Sequence, residues 1–498
     1  MNKIVFPVTA KKLQYYSSPL HLGISTYSKT TKKLWLIRLA AKMNLPADSA
    51  LILAAVILIF SILWPIRKLI NSGKRTPFLP PGPGGLPILG YLPFLRKDLH
   101  HQFTELAGKY GPIYKLWLGN KLCTVISSRS HKRVAQPEKN FVREMLSNTN
   151  LEATYNLRRE EVRKVVKEIY SKIGTPMDIC ELAFKIDLNV IINLIWGGKI
   201  QGERRDRILT SLLPVLANML DLLVKPNISD FFPALARFDI QGVAKEMTTL
   251  LQRVEGITKD AIDERMKNPS KKMEAVEAKK DGRTDFLQIL VDLMQEEDNK
   301  ESLGEAQIKA IAIVPSKVME KVQNELNEIV GLNNIVEEFH IPKLEYLDAV
   351  LKETLRVSNR TLLNPKNSKS NLHYWRIHYP KDSAVFLNVW SIQRDPLAWE
   401  NPLEFKPERF LGNTTKWDFS GNNFNYIPFG SGRRVCAGLP LAERMIRYVL
   451  ASLLHSFEWQ LPEGEKLDMS DKLVMALRKK IPLTAVPIPR LYDPDLYE

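Results

Sequence analysis

The chain has 498 residues, of which 45% are hydrophobic and 25% charged, proportions that exclude a disordered or collagen-like protein. Three cysteines are too few for a disulfide framework or a cysteine-rich zinc site. Most of the net charge of +16 comes from residues 1–76, which contain twelve basic side chains and one acidic side chain. Since the rest of the chain is nearly balanced, no nucleic-acid partner is expected.

Residues 49–66 are uncharged and rich in Ala, Ile and Leu. As a helix, 18 residues span about 27 Å, close to the ~30 Å thickness of a bilayer core. Arg67, Lys68, Lys74 and Arg75 follow, as expected if the downstream domain is cytoplasmic, although basic residues also precede the segment. Residues 49–66 are therefore predicted to be a transmembrane anchor, and a buried core helix is the alternative.

Two segments flank this anchor. Residues 1–48 form a basic extension rich in Ser, Thr and Tyr, which fits a transit peptide or a gene-model artefact. Residues 67–90 are basic and rich in Pro and Gly, and are predicted to be an extended, unpacked linker because each proline fixes φ and removes a donor. Residues 91–498 are then the globular domain.

The globular domain is predicted to be mainly α with small β-sheets. Apolar residues recur at spacings of three and four, typical of amphipathic helices, in residues 284–296, 318–330 and 344–355. Residues 383–392 are rich in β-branched and aromatic residues and predict a strand. A final helix is expected over residues 439–457.

Residues 429–438 (FGSGRRVCAG) form a glycine-rich loop that contains Cys436. Its glycines permit backbone conformations and close approaches that side chains would block. The final helix follows directly, and the N–H groups at its start favour a thiolate. Such a thiolate could be a nucleophile, a structural thiol or a metal ligand. A nucleophile would need a histidine base, and no histidine lies in a recognisable signature.

Two further motifs precede the loop. Glu353 and Arg356 are three residues apart, so they lie on one helical face and can pair. Residues 407–410 read Pro-Glu-Arg-Phe. In this order the three motifs resemble the cytochrome P450 family, with its Glu-x-x-Arg helix, its Pro-Glu-Arg-Phe turn and its Phe-x-x-Gly-x-Arg-x-Cys-x-Gly haem loop. The anchor, the proline-rich hinge and residues 390–396 (WSIQRDP) are similar to the plant A-type microsomal class.

The resemblance implies a cytochrome P450 fold with haem b, whose iron takes the Cys436 thiolate as axial ligand. It implies that Arg434 pairs with a haem propionate and that Phe429 shields the sulfur. Gly432 and Gly438 complete the cofactor-binding loop. The resemblance also implies a buried ion-pair network that braces this loop, formed by Glu353, Arg356 and Arg409.

The activity implied is that of a haem-thiolate monooxygenase anchored in the endoplasmic reticulum membrane, with its catalytic domain in the cytoplasm. The reaction would insert one oxygen atom of O2 into a small lipophilic plant metabolite of terpenoid or phenylpropanoid type. Electrons would come from NADPH-cytochrome P450 reductase.

The sequence departs from the family on the distal side of the haem. Residues 307–314 resemble the start of the family's long distal helix, but they join Pro315, and residues 315–322 resemble the start of the next helix. The Ala/Gly-Gly-x-Asp/Glu-Thr stretch is absent, so no catalytic threonine or acid is identified. Residues 127–140 also lack the family's Trp-x-x-x-Arg.

These departures predict a fold that is incomplete on the distal side. A truncated or mis-spliced relative without turnover is therefore the alternative to a working monooxygenase. A hydrolase that uses the Cys436 thiol is a more remote hypothesis.

Overall fold

The computed structural model describes residues 79–96, 98–128, 146–196, 203–225, 227–266, 315–358, 362–363, 372–374, 377–379, 383–412, 417–432, 435–436, 438–464, 471–473, 477–479 and 483–498. The predicted extension (1–48), the predicted anchor (49–66) and the predicted helix 284–296 lie outside these residues. Among the helices that the structure describes, none has the length and apolar character needed to cross a membrane.

Helices form most of the described chain. They are α1 (Leu99–Tyr110), α2 (Asn148–Ala153), α3 (Tyr155–Tyr170), α4 (Ile179–Trp196), α5 (Glu203–Val224), α6 (Ile228–Phe231), α7 (Val243–Met266), α8 (Ser316–Ile329), α9 (Glu345–Ser358), α10 (Val389–Ile392) and α11 (Leu439–Ser456). The helices predicted over 318–330 and 344–355 are confirmed as α8 and α9. The predicted final helix is confirmed as α11.

The strands are short and gather into small sheets. They are β1 (Ile113–Leu118), β2 (Lys121–Ile126), β3 (Met177–Asp178), β4 (Leu362–Leu363), β5 (Leu372–Tyr374), β6 (Ile377–Tyr379), β7 (Ala384–Asn388), β8 (Phe457–Gln460), β9 (Asp471–Leu473), β10 (Leu477–Lys479) and β11 (Thr484–Pro489). The largest described sheet has the order β1-β2-β7-β4, in which β2 and β7 are parallel. The others pair as β3-β11-β8, β9-β10 and β5-β6.

The strand predicted over residues 383–392 is only half right. Strand β7 ends at Asn388, and the next four residues form α10. The Asn388 side chain accepts a hydrogen bond from the Ser391 N–H, so it caps a helical turn and ends the strand. This local capping competes with the β propensity of Val389 and Trp390.

The prediction of an unpacked linker is wrong for its last part. The Pro81 carbonyl accepts a hydrogen bond of 2.8 Å from the Lys115 N–H of β1, and the Tyr91 N–H donates to the Trp117 carbonyl. Gly90 also forms a bridge with Leu118. The segment is extended, as the prolines require, but it is packed because its carbonyls satisfy the open edge of β1.

Two hydrophobic clusters meet at α9 and α11. The larger cluster joins α11 to α3, α4 and α8, and the smaller one joins α9 and α11 to a group of buried aromatic side chains. We call this group the aromatic cluster; it consists of Trp399, Phe410, Trp417, Phe419 and Tyr426. Helices α9 and α11 therefore form the rigid base on which residues 417–436 lie.

Candidate functional site

The loop that contains Cys436 is closed by its own backbone. The Cys436 N–H donates to the Phe429 carbonyl at 2.9 Å, and the Val435 N–H donates to the Gly432 carbonyl at 3.1 Å. Gly430 and Gly432 have φ values of 82° and 70°, in the left-handed region that favours glycine. The sequence-based expectation of unusual backbone conformations is confirmed at these two residues.

Cys436 lies at the start of α11 and is half-buried. Its carbonyl accepts a hydrogen bond from the Leu439 N–H, the first helical residue, at 3.2 Å. Gly438 is the N-cap residue and is buried, with a φ of −78°. The left-handed conformation seen at Gly430 and Gly432 therefore does not extend to Gly438. Cys436 thus lies three residues before the first residue of α11, and the start of a helix is a place that favours an anion.

The amino-terminal arm of the loop is held by the aromatic cluster. The Phe429 ring meets the Phe419 ring edge-to-face, with 5.4 Å between centroids. The Ser431 hydroxyl donates to the Gly421 carbonyl at 2.6 Å. Packing and hydrogen bonding thus fix both the ring and the backbone on this side of the thiol.

The structure brings Glu353, Arg356 and Arg409 together. Arg356 donates through Nε and Nη2 to the two oxygens of Glu353, at 2.7 and 2.8 Å. Arg409 Nε lies 3.3 Å from Oε1 of the same carboxylate. Neither Glu353 nor Arg356 is exposed to solvent, so each charge depends on its partners. We call these three residues the α9 network.

Arg356 also holds the chain that leads to the thiol loop. It donates to the carbonyls of Gln393 at 3.0 Å, Pro402 at 2.8 Å and Glu404 at 3.1 Å. Its guanidinium lies over the Trp399 ring, 5.1 Å from the centroid. One buried cation therefore connects α9 to the segment before the Pro-Glu-Arg-Phe turn.

Two buried polar side chains near the loop have no obvious signal in the sequence. The Tyr426 hydroxyl donates to the Lys352 carbonyl of α9 at 3.0 Å, and burial raises its pKa well above the ordinary value, so the phenol stays neutral. The Gln393 side chain also bonds to backbone groups. Sequence reasoning missed both because their partners are main-chain atoms, which every residue carries.

Some predicted features lie outside the described residues. Arg434 is one of them, and residues 129–140 and 307–314 are others. On the described side of the junction, Pro315 is extended, with φ −61° and ψ 150°, and α8 begins at Ser316. A continuous helix across Pro315 is therefore excluded, as the missing N–H of proline predicts.

The family model for cytochrome P450 matches residues 80–152, 124–314 and 315–485, which together cover most of the chain. The chain belongs to the cytochrome P450 family. This family consists of haem-thiolate monooxygenases, and the predicted family and fold are confirmed.

Plant cytochromes P450 are among the curated relatives. The chain is 31% identical to Cytochrome P450 76C1 of Arabidopsis thaliana, over 89% of this chain and 98% of that protein. It is 31% identical to Carnosic acid synthase of Salvia pomifera, over 84% and 95% of the two chains. Identity to Flavonoid 3',5'-hydroxylase of Campanula medium is 30%, over 88% and 97%.

A solved structure of a zebra fish cytochrome P450 with abiraterone supports the fold assignment. Its TM-score is 0.59 at 19% sequence identity, and the match covers 79% of this chain and 100% of that chain. At this level of identity the likeness concerns the fold alone.

The alignment to Cytochrome P450 76C1 also indicates missing residues. It extends over 505 positions but uses 89% of the 498 residues, or about 443, so about 62 positions have no residue in this chain. Two of the family matches meet at Val314 and Pro315. This is the junction at which the sequence is expected to depart from the family pattern.

The residues on the described side of the site fit the haem-thiolate cofactor of the family. A half-buried thiol lies at a helix N-terminus, at the end of a loop with two left-handed glycines. A thiolate is the ligand that cytochrome P450 haem iron requires. The α9 network is consistent with this fit, because its charges pair with one another and leave the thiol available for a cofactor.

Proposed function

We propose that this chain is a haem-thiolate monooxygenase in which the Cys436 thiolate would hold the iron of haem b. The observation that carries the proposal is the closed 429–436 loop at the start of α11, together with family membership. Phe429 shields the sulfur from water, and Arg434 neutralises a propionate. Gly432 and Gly438 leave room for the macrocycle.

The haem group, when bound, supplies the chemistry that activates dioxygen. The chain itself contributes a half-buried thiol, a wall of aromatic side chains and the support of helices α9 and α11. The α9 network keeps the base in place because its buried charges lose their partners if the segments separate.

The substrate proposed is a small lipophilic plant metabolite of terpenoid or phenylpropanoid type. The names of three relatives, Carnosic acid synthase, Ferruginol synthase and Flavonoid 3',5'-hydroxylase, support this class. We propose that residues 49–66 anchor the chain in the endoplasmic reticulum membrane, where NADPH-cytochrome P450 reductase supplies electrons. The length of this uncharged segment and the basic residues after it support the anchor.

A second candidate is a relative that binds haem but does not turn over. The alignment positions without a residue and the break in the family match at Pro315 favour it. Without the distal Thr and acid, no residue of this chain is assigned to deliver protons to bound oxygen.

One series of measurements separates the candidates. The chain is expressed in membranes, reduced and exposed to carbon monoxide, and Cys436→Ser serves as the matched control. A thiolate-type Soret band that Cys436→Ser abolishes is expected under both candidates, and its absence from the wild type contradicts both. Adding the reductase, NADPH and a panel of diterpenes and flavonoids then tests turnover. Oxygenated product supports the monooxygenase, and a band without product supports the second candidate.

The remaining alternatives have tests of their own. A full-length transcript with a continuous reading frame across the codons of Val314 and Pro315 would contradict mis-splicing. Labelling of Cys436 by an electrophile in the haem-free chain is what the thiol-hydrolase hypothesis requires, and an inert thiol would end it.

A further inference from the structure

Gln393 is a buried amide that joins α9 to the segment before the thiol loop. It has no solvent exposure. Its side-chain Nε2 donates to the carbonyls of Leu355 and Arg356, each at 3.2 Å. Its side-chain Oε1 accepts from the Ile427 N–H at 3.1 Å. Both ends of one amide are therefore used, and they face different parts of the fold.

The partners of Gln393 are backbone groups that lack regular secondary-structure partners. Leu355 and Arg356 lie in the last turn of α9, where the helix itself offers no N–H group to hydrogen-bond their carbonyls. Ile427 lies two residues before Phe429, whose carbonyl closes the loop to Cys436. A buried N–H or carbonyl without a partner is costly, so the amide favours one spacing between the two segments.

Gln393 is also in contact with the α9 network. Its own carbonyl accepts the Arg356 Nη1 hydrogen bond at 3.0 Å, while its side chain reaches the Arg356 carbonyl. A hydrogen-bonded path therefore runs from Glu353 through Arg356 and Gln393 to Ile427. The path ends at the arm of the loop that holds Phe429.

We infer that Gln393 is a positioning residue. Its amide holds the start of the 427–436 loop at a fixed distance from α9, so that Cys436 stays in the position from which its thiolate can bind haem iron. The inference rests on the proposed haem ligation for its spectroscopic consequence, but the hydrogen bonds can be tested without haem. Tyr426 supports the loop from Lys352 as well, so loss of the amide is expected to loosen the loop rather than unfold the domain.

The test compares Gln393→Met with wild type in the full chain. Methionine has a similar length and no hydrogen-bonding amide. The matched control is Gln323→Met, at a half-buried position of α8 away from the loop. Hydrogen–deuterium exchange is measured on the haem-free chains. The expected result for Gln393→Met is exchange about tenfold faster or more at residues 427–436, since a buried hydrogen bond is lost, with unchanged exchange in α11.

In the haem-loaded chains, Gln393→Met is expected to lower the fraction of thiolate-type ferrous carbonyl spectrum at equal haem content. Gln393→Glu provides a second readout, because a protonated carboxyl keeps one donor and one acceptor whereas the ionised form keeps no donor. Burial raises the pKa of such a glutamate and the Arg356 guanidinium lowers it, so the thiolate fraction of Gln393→Glu, relative to wild type at the same pH, should be highest at the acid end of the measured range. A role in packing alone predicts no such pH dependence.

Unchanged exchange at residues 427–436 in Gln393→Met overturns the inference, as does equal loosening of the loop and α11. A Gln393→Glu variant that matches Gln393→Met at every pH overturns it too. If wild type gives no thiolate-type band, the proposed function fails, and the exchange of the haem-free chains still decides whether Gln393 holds the loop.

Discussion

Two arginine–glutamate clusters, one fully buried and one partly exposed, stabilise this protein in different ways. In the α9 network, Arg356 and Glu353 lie on one helix and are both fully buried. In the second cluster, Arg158 of α3 donates through Nε and Nη2 to Glu338, with both distances 2.8 Å, across 180 residues of sequence. Neighbouring Arg159 pairs with Glu337 at 2.8 Å. We call this second cluster the connection clamp, since it holds residues 330–344, between α8 and α9, against α3.

The two clusters differ in how far water and other cations can stabilise each carboxylate once its arginine is removed. Glu353 has no exposure to water, so without Arg356 its buried charge would depend on Arg409 Nε at 3.3 Å and the Lys406 N–H at 2.8 Å, and water could not replace the lost bonds. Glu338 is 17% exposed, and Arg444 lies 3.9 Å away, so water and a second cation can partly replace Arg158. A buried charge without a partner is far more destabilising than one that water reaches. The α9 network should therefore be the more sensitive cluster, and the one coupled to the thiol loop.

The largest expected effect is that of Arg356→Leu. Removing the guanidinium takes two hydrogen bonds from the fully buried Glu353 carboxylate and frees three carbonyls of residues 393–404. The free energy of unfolding should fall by about 3–5 kcal/mol, and haem retention should be lost with it. Urea unfolding followed by circular dichroism measures the first, and the ferrous carbonyl spectrum the second.

The control for this experiment is Arg253→Leu, which changes an exposed arginine of α7. It should leave both measurements unchanged. Retention of wild-type stability by Arg356→Leu would mean that the α9 network does not brace the base of the site.

The next largest effect is a dependence of stability on pH. It concerns the connection clamp, because a buried histidine bonds to the segment that the clamp holds. His455 Nε2 donates to the Gly331 carbonyl at 3.0 Å. Burial, and then the neighbouring Arg490 and His340, lowers the pKa of His455 from 6.5 to about 4. The unfolded chain therefore binds the proton more readily, and stability falls as the pH drops from about 6.5 to about 4, by roughly 3 kcal/mol.

Urea unfolding at a series of pH values measures this slope. His455→Gln keeps a donor for the Gly331 carbonyl without titrating, so its slope should be smaller over the same range. An equal slope in the variant would show that other groups cause the loss at acid pH.

Arg158→Leu should have a smaller effect than Arg356→Leu. The variant loses both bonds to Glu338 and one of 2.7 Å to the Leu151 carbonyl. We expect the free energy of unfolding to fall by about 1–3 kcal/mol, with the thiolate-type spectrum retained in the chains that remain folded. Loss of that spectrum to the same degree as in Arg356→Leu would break the distinction between the two clusters.

The smallest effect is expected within the Pro-Glu-Arg-Phe turn itself. Glu408 pairs with Lys321 of α8 and accepts from the hydroxyl of the half-buried Tyr346, but Glu408 and Lys321 are both exposed to solvent. Glu408→Gln should leave the unfolding midpoint unchanged within error, because exposed ion pairs contribute little. Its neighbour Arg409 is 9% exposed and bonded to Glu353, so Arg409→Leu is the matched comparison. Equal destabilisation by both variants would contradict the distinction between an exposed Glu408 that contributes little and a largely buried Arg409 that contributes more.

Local patterns predicted many of the elements that support the site. The spacing of Glu353 and Arg356 places them on one face of α9, and the spacing of apolar residues predicted α8 and α9. These relations extend over a few residues, so backbone geometry alone determines them. The strand expected over 383–392 was wrong after Asn388 because a single side-chain cap outweighed β propensity.

Contacts between distant segments could not be predicted in this way. Nothing in the sequence pairs Arg158 with Glu338, or the Gln393 amide with Ile427. The chain has many other carboxylates and backbone N–H groups that could be the partner in each case. Packing of the prolines against β1 is another case, since it depends on an open strand edge that the linker sequence does not encode.

The sequence by itself determined the family, and it predicted the thiol at Cys436 and the gap before Pro315. These depend on residue types at fixed spacing, which folding does not alter. Only the tertiary structure decided which charges are buried, which carbonyls the Arg356 guanidinium satisfies and how Gln393 links α9 to the thiol loop. Burial and hydrogen-bond partners arise when segments far apart in the chain exclude water from between them, and that depends on the whole fold.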